Sequence, residues 1–89
     1  MAMADPTEHQ RAKQWRLSIG LSRRALGELT GFSAGSIATF EAGRQAGGRP
    51  IDAAAFRRYR MACAAIQAGL AFDWGEATFE VMERRKVAI

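Results

Sequence analysis

The side chains able to make directed polar contacts gather in one stretch, Leu21 to Gly43, and in the loop after it. They are the hydroxyls of Ser22, Ser33, Ser36 and Thr39 and the guanidinium groups of Arg23, Arg24, Arg44 and Arg49. Hydroxyls beside free backbone N–H groups, with arginines nearby, hydrogen-bond phosphates and base edges rather than break bonds. The parts needed for catalysis do not accompany them. There is a single histidine, His9, and no carboxylate pair stands in an apolar setting, so the serines have no partner base. Gly43 to Gly48 is glycine-rich but lacks the Gly-Lys-Ser/Thr ending of a nucleotide loop. The lone cysteine, Cys63, excludes an internal disulfide and reads as a small buried apolar residue; with His9 in a polar segment, no metal-ligand spacing arises. No enzymatic activity, cofactor, metal or small-molecule substrate is therefore expected.

Charge reinforces the polar reading. The 89-residue chain carries a net charge of +4, and its distribution says more than its sum. From Arg11 to Arg60 ten basic residues face only Glu28, Glu41 and Asp52, whereas the two ends are together mildly acidic. Positive charge concentrated around the hydroxyl-bearing stretch suits a polyanion. The sequence offers no run of about 18 apolar residues for a membrane span, and its Met-Ala-Met-Ala start lacks the regions of a signal peptide, so a cytoplasmic location is expected.

Two short helices must position these groups. Ser22 can cap the first, and Gly31 ends it, because a residue without Cβ takes the left-handed conformation that a tight turn requires. Ser33 then caps the second. Leu26 and Leu29 on the first helix, and Ile37 and Phe40 on the second, make only narrow apolar stripes, so neither helix is stable alone. Such a pair is a device for laying one helix in a DNA groove.

Elements on both sides must complete the core. A helix is expected from near Asp5, where Asp-Pro-x-Glu combines a cap, a first-turn proline and a carboxylate, with Trp15 and Ile19 as core and Gly20 as its end. Arg44 to Pro50, holding three glycines or prolines and two arginines, reads as an irregular, flexible surface loop. Asp52 caps a long helix whose stripe is Phe56, Tyr59, Cys63, Ile66 and Leu70, with Gly69 at its end and Arg57 and Arg58 on its outer side. For the last segment two readings stand. Alternation of Leu70, Phe72 and Trp74, and of Phe79 and Val81, favours two strands across Gly75-Glu76-Ala77; helix formers between 76 and 86 favour a helix. Either way, Phe72, Trp74, Phe79, Val81 and Met82 are a surplus of apolar groups that suggests a self-association surface.

Several residues fall in a familiar order: Leu21 and Ser22, Leu26 and Gly27, Gly31 to Ser33, Ser36 and Ile37, Phe40 and Glu41, Gly43 and Arg44. In this order the chain, from Arg16 to about Phe72, resembles the helix-turn-helix of the Cro/repressor (XRE-like) family of bacterial and phage regulators. The resemblance implies a mainly all-α fold, a bundle of four to five helices like that of lambda repressor, with a short strand or hairpin admitted at the C-terminus. It implies one domain over 1–89, with its core at about 6–72 and an extension, 73–89, that serves dimerisation. It places Ala34, Gly35, Ser36 and Thr39 against base edges in the major groove, and Ser22, Arg23, Arg24, Ser33, Arg44 and Arg49 at phosphates or in a groove. Arg16 and Glu41 match a family pair that forms a structural salt bridge. The base-facing residues are small, so the usual bidentate contacts to adenine or guanine are missing from this helix, and Arg23, Arg24 and the loop arginines are expected to supply much of the specificity.

The expected function is that of a sequence-specific, DNA-binding transcription regulator, a repressor that binds an inverted repeat of double-stranded DNA as a homodimer near the nucleoid. The competing expectation is a protein-binding module, such as an antitoxin or antiactivator, that uses the apolar tail or Leu29 on a protein partner.

Overall fold

A computed structural model describes residues 5–81. The chain is mainly helical: α1 (Glu8–Ser18), α2 (Arg23–Thr30), α3 (Ala34–Ala42) and α4 (Ala53–Ala68) precede a hairpin of β1 (Leu70–Asp73) and β2 (Thr78–Val81). Met82 and the rest of the 82–86 segment lie outside the described residues.

Local chemistry explains most boundaries. Ser22, Ser33 and Asp52 each stand at an N-cap and accept hydrogen bonds from backbone N–H groups inside α2, α3 and α4. Such caps satisfy donors that have no partner within the helix. Gly31 closes α2 in the left-handed conformation, with φ 86°. The start of α1 differs from expectation. Its cap is Thr7, not Asp5: the Thr7 hydroxyl accepts from the Gln10 N–H at 3.1 Å while the Gln10 amide oxygen accepts from the Thr7 N–H at 2.8 Å. This reciprocal box satisfies two orphan donors where an Asp5 cap satisfies fewer, so Pro6 is left just outside the helix. At the other end Ile19 is the half-buried C-cap rather than a core residue.

Leu26, Ile37, Phe40 and Tyr59 form the buried core, one or two residues from each of α2, α3 and α4, with Trp15, Leu21, Phe32, Ile51, Phe56, Cys63 and Ile66 packed against it. Aromatic rings dominate it: Tyr59 stacks on Phe40 at 4.9 Å between centroids, and Phe32 meets both edge-on at 5.5 Å. Leu29, the other apolar residue of the α2 stripe, stays outside this core. It is 61% exposed, because α2 turns Leu26 and Gly27 inward and leaves Leu29 on the outer side.

Gly27 is what lets α2 and α3 approach. A Cβ at this buried position would lie 2.5 Å from the Phe32 carbonyl oxygen, a backbone atom that cannot swing away. We expect Gly27→Ala to destabilise the protein by about 2 kcal/mol, with overpacking of about 3 kcal/mol set against about 1 kcal/mol of helix propensity. Thermal unfolding followed by circular dichroism should show a midpoint lower by roughly 10 °C; an unchanged midpoint would rule out the close approach.

The hairpin is antiparallel, pairing Leu70 with Val81, Phe72 with Phe79, and Asp73 with Thr78. β1 ends one residue before Trp74, which joins Gly75, Glu76 and Ala77 in the turn. The Asp73 carboxylate sets that turn by accepting from the Gly75 N–H at 3.0 Å. The strand reading therefore holds through Val81.

Candidate nucleic-acid interface

The residues expected at base edges lie on one side of α3. Ala34 and Gly35 are exposed and Ser36 and Thr39 half-buried, while Ile37, Phe40 and Glu41 point into the protein. The helical period alone dictates this division. Ser33 Oγ accepts from the Ser36 N–H at 3.0 Å and donates to Ser36 Oγ at 3.0 Å, so both hydroxyls are held at the start of the helix. Ser22 holds the start of α2 in the same way, accepting from the Ala25 N–H at 3.0 Å.

Behind this face, on the inner side of the helix, lies a buried ion pair. Arg16 from α1 donates from Nε to Glu41 Oε2 at 2.6 Å and from Nη2 to Glu41 Oε1 at 3.1 Å, and its Nη1 reaches the Leu21 carbonyl at 2.9 Å. Both side chains are buried, 7% and 2% exposed. The expected salt bridge is thus present, in bidentate form. Burial by itself would raise the Glu41 carboxyl, but the hydrogen bonds and charges of Arg16 and then Arg23 outweigh it and hold the group below the usual carboxylate range. The same Glu41 hydrogen bond raises Arg16.

Arg23 has a partner within the fold. Its Nε donates to Glu41 Oε1 at 3.0 Å, so its guanidinium joins the Arg16 and Glu41 network as a third member. Its side chain remains 40% exposed, which leaves an edge of the fork toward solvent. Arg24 is the freer of the two, 88% exposed and only 3.8 Å from Glu28. Attraction to a buried carboxylate, little shared with water, decides between the two arginines.

The loop carrying Arg44 and Arg49 is also less free than its composition suggests. Gly47 and Gly48 both take the left-handed conformation, with φ 79° and 82°, to make a tight turn, and Gln45 closes the loop on itself. Its N–H donates to the Arg49 carbonyl at 2.8 Å, its carbonyl accepts from the Gly48 N–H at 3.0 Å, and its Nε2 donates to the Pro50 carbonyl at 2.8 Å. Arg44 and Arg49 are both exposed on this organised loop. Between it and α3 lies a cleft of about 330 Å³ bordered by Gly35, Ser36, Thr39, Gln45 and Asp52.

Two residues escaped the sequence reading. His9 Nδ1 donates to the Phe40 carbonyl at 2.7 Å and its ring stacks on Phe56 at 4.6 Å, which ties α1 to the end of α3. The signal was its spacing of seven from Arg16, which puts both on one face of α1. Gln45 was passed over because its role comes from partners across the loop. Among the described residues the buried Tyr59 hydroxyl has no hydrogen-bond partner of good geometry, and burial followed by the neighbouring Cys63 pushes its pKa up. Burial likewise raises the Cys63 thiol, consistent with an inert packing residue.

The hairpin carries a second notable surface. Phe72, Trp74, Phe79 and Val81 are 48%, 88%, 72% and 79% exposed, so the described residues leave its apolar side uncovered. Among the described residues no three His, Cys, Asp or Glu side chains gather where they could hold a metal ion. None of the described helices is long and apolar enough to cross a membrane.

The class defined by these observations is a mainly helical protein with a terminal two-stranded hairpin and a basic, hydroxyl-bearing face. No protein-family model, curated protein or solved structure matches the chain.

Proposed function

We propose that the chain is a sequence-specific DNA-binding transcription regulator, a repressor, that docks α3 in the major groove of an inverted repeat as a homodimer. α2, the tight turn and α3 are then a helix-turn-helix within a lambda-repressor-like bundle. The observation that carries this reading is the two-sided character of α3. Its N-terminal outer side is exposed and made of residues small enough for the backbone to approach a groove, while its inner side is braced by the buried Arg16, Glu41 and Arg23 network. Arg24, Arg44 and Arg49 stand exposed around it and suit phosphates, with the Ser22 and Ser33 hydroxyls beside them. Phe72, Trp74, Phe79 and Val81 supply the contact between two copies, together with Met82 outside the described residues.

Selection of bound duplexes from a random pool, followed by sizing of the complex, tests this directly. An inverted repeat and two chains are expected; failure to enrich any duplex overturns the reading. Three exposed arginines per protomer give about six phosphate contacts per dimer, so log affinity should fall with log salt at a slope of about −5.

A protein-binding module of antitoxin or antiactivator type is the second reading, favoured by Leu29. It is 61% exposed, so the described part of the tail does not cover it. An interface built on Leu29 and the hairpin would be nearly insensitive to salt, and the same titration separates the two.

A further inference from the structure

We propose that Gln45 is a base-reading residue that recognises an adenine edge in the major groove; this rests on the DNA-binding reading above. Small residues on the outer side of α3 leave no amide or guanidinium there for a bidentate contact. They also leave space. The cleft of about 330 Å³ has Gly35, Ser36 and Thr39 of α3 in its wall together with Gln45, Ile51 and Asp52, so a group entering beside α3 comes near Gln45.

The chemistry of that wall selects the ligand. Asp52 is the cleft's charged residue, and its carboxylate repels a phosphate, so the cleft suits a neutral base edge. Gln45 donates one Nε2 hydrogen to the Pro50 carbonyl at 2.8 Å. The other Nε2 hydrogen and the amide oxygen have no hydrogen-bond partner among the described residues. An adjacent donor and acceptor match adenine, whose N7 accepts and whose N6 donates, whereas guanine offers two acceptors and leaves the amide oxygen unpaired. The backbone bonds from Gln45 to Arg49 and Gly48 hold the residue in place before DNA arrives, which lowers the ordering cost of the contact.

Two measurements test this on the full chain. Duplex selection is run with wild type and with Gln45→Ala, with thermal unfolding of both as a check on folding. Wild type should enrich an adenine at one position of each half-site, preferred about 5- to 100-fold, and Gln45→Ala should lose that preference alone. Wild type is then titrated with selected duplexes carrying 7-deazaadenine, which lacks the N7 acceptor, at each adenine in turn. One position should lose about tenfold in affinity, a result that does not depend on the variant folding. The assignment is overturned if Gln45→Ala selects the same sites with the same preference, or if no 7-deazaadenine substitution weakens binding. If wild type enriches no duplex, the DNA-binding reading fails and this assignment fails with it.

Discussion

Glu41→Gln is expected to destabilise the protein by about 3–5 kcal/mol, because it leaves the Arg16 guanidinium, 7% exposed, without its counter-charge. Glutamine can still accept a hydrogen bond, but it cannot offset the cost of a buried cation. The loss is a large share of the roughly 5–10 kcal/mol that a chain of this size commands. Urea unfolding at neutral pH should show it directly, and equal stability of variant and wild type would mean that Arg16 reaches water. Replacing both partners with apolar residues, Arg16→Met with Glu41→Leu, should recover much of the loss, since no unpaired charge remains buried. Arg23 then turns to solvent, as its partial exposure allows.

Acid should have the same effect on the wild type. The folded-state Glu41 carboxyl lies below the ordinary value of 4.5, so its stabilisation is fully present above that value. It is lost as pH falls through 4.5 toward the lower folded-state value, because protonation then favours the unfolded chain. The difference between wild type and Glu41→Gln should therefore shrink with falling pH. A constant difference from neutral pH to about pH 3 would show that the carboxylate charge is not the stabilising feature.

Gly35→Glu should abolish specific DNA binding while leaving the fold intact. Among the described residues only the Ser33 hydroxyl comes within 4 Å of a Cβ placed at Gly35, at an ordinary contact distance of 3.8 Å, so the new side chain points into open space. Replacing glycine in a helix, with a carboxylate in the first turn, favours folding by about 1 kcal/mol. Under the proposed docking, the same carboxylate stands against the groove floor among base acceptors and phosphates. We expect specific affinity to fall by about 100-fold or more, roughly 3 kcal/mol, with an unfolding temperature equal to or above that of the wild type. Retained affinity in this folded variant would remove α3 from the groove. A protein partner engaged through Leu29 or the hairpin would be indifferent to the change, so Gly35→Glu also separates the two functional readings.

Much of the helical frame was legible in the sequence because its signals are local. Ser22, Ser33 and Asp52 cap helices whose first N–H groups lie two or three residues away, and Gly31 and Gly69 end helices through their own backbone freedom. Alternation also carried the strand reading of the hairpin through Val81, one of the two that the sequence left open. Thr7 took the cap from Asp5 because the Gln10 amide answers the Thr7 N–H in a reciprocal box.

The sequence by itself determined where α2, α3 and α4 begin, which of the helical residues are apolar, and that positive charge surrounds the short pair. The tertiary structure alone decided how the polar side chains are used. Arg23 and Arg24 are neighbours of identical chemistry, yet one binds Glu41, 18 positions away, and the other stays in solvent. His9 finds its carbonyl 31 positions away, and Leu29 is left outside the core that Leu26 enters. The reason is physical. A cap or a turn is settled by dihedral angles and hydrogen bonds within a few residues, whereas a long side chain's partner depends on which elements packing brings within about 3 Å of it.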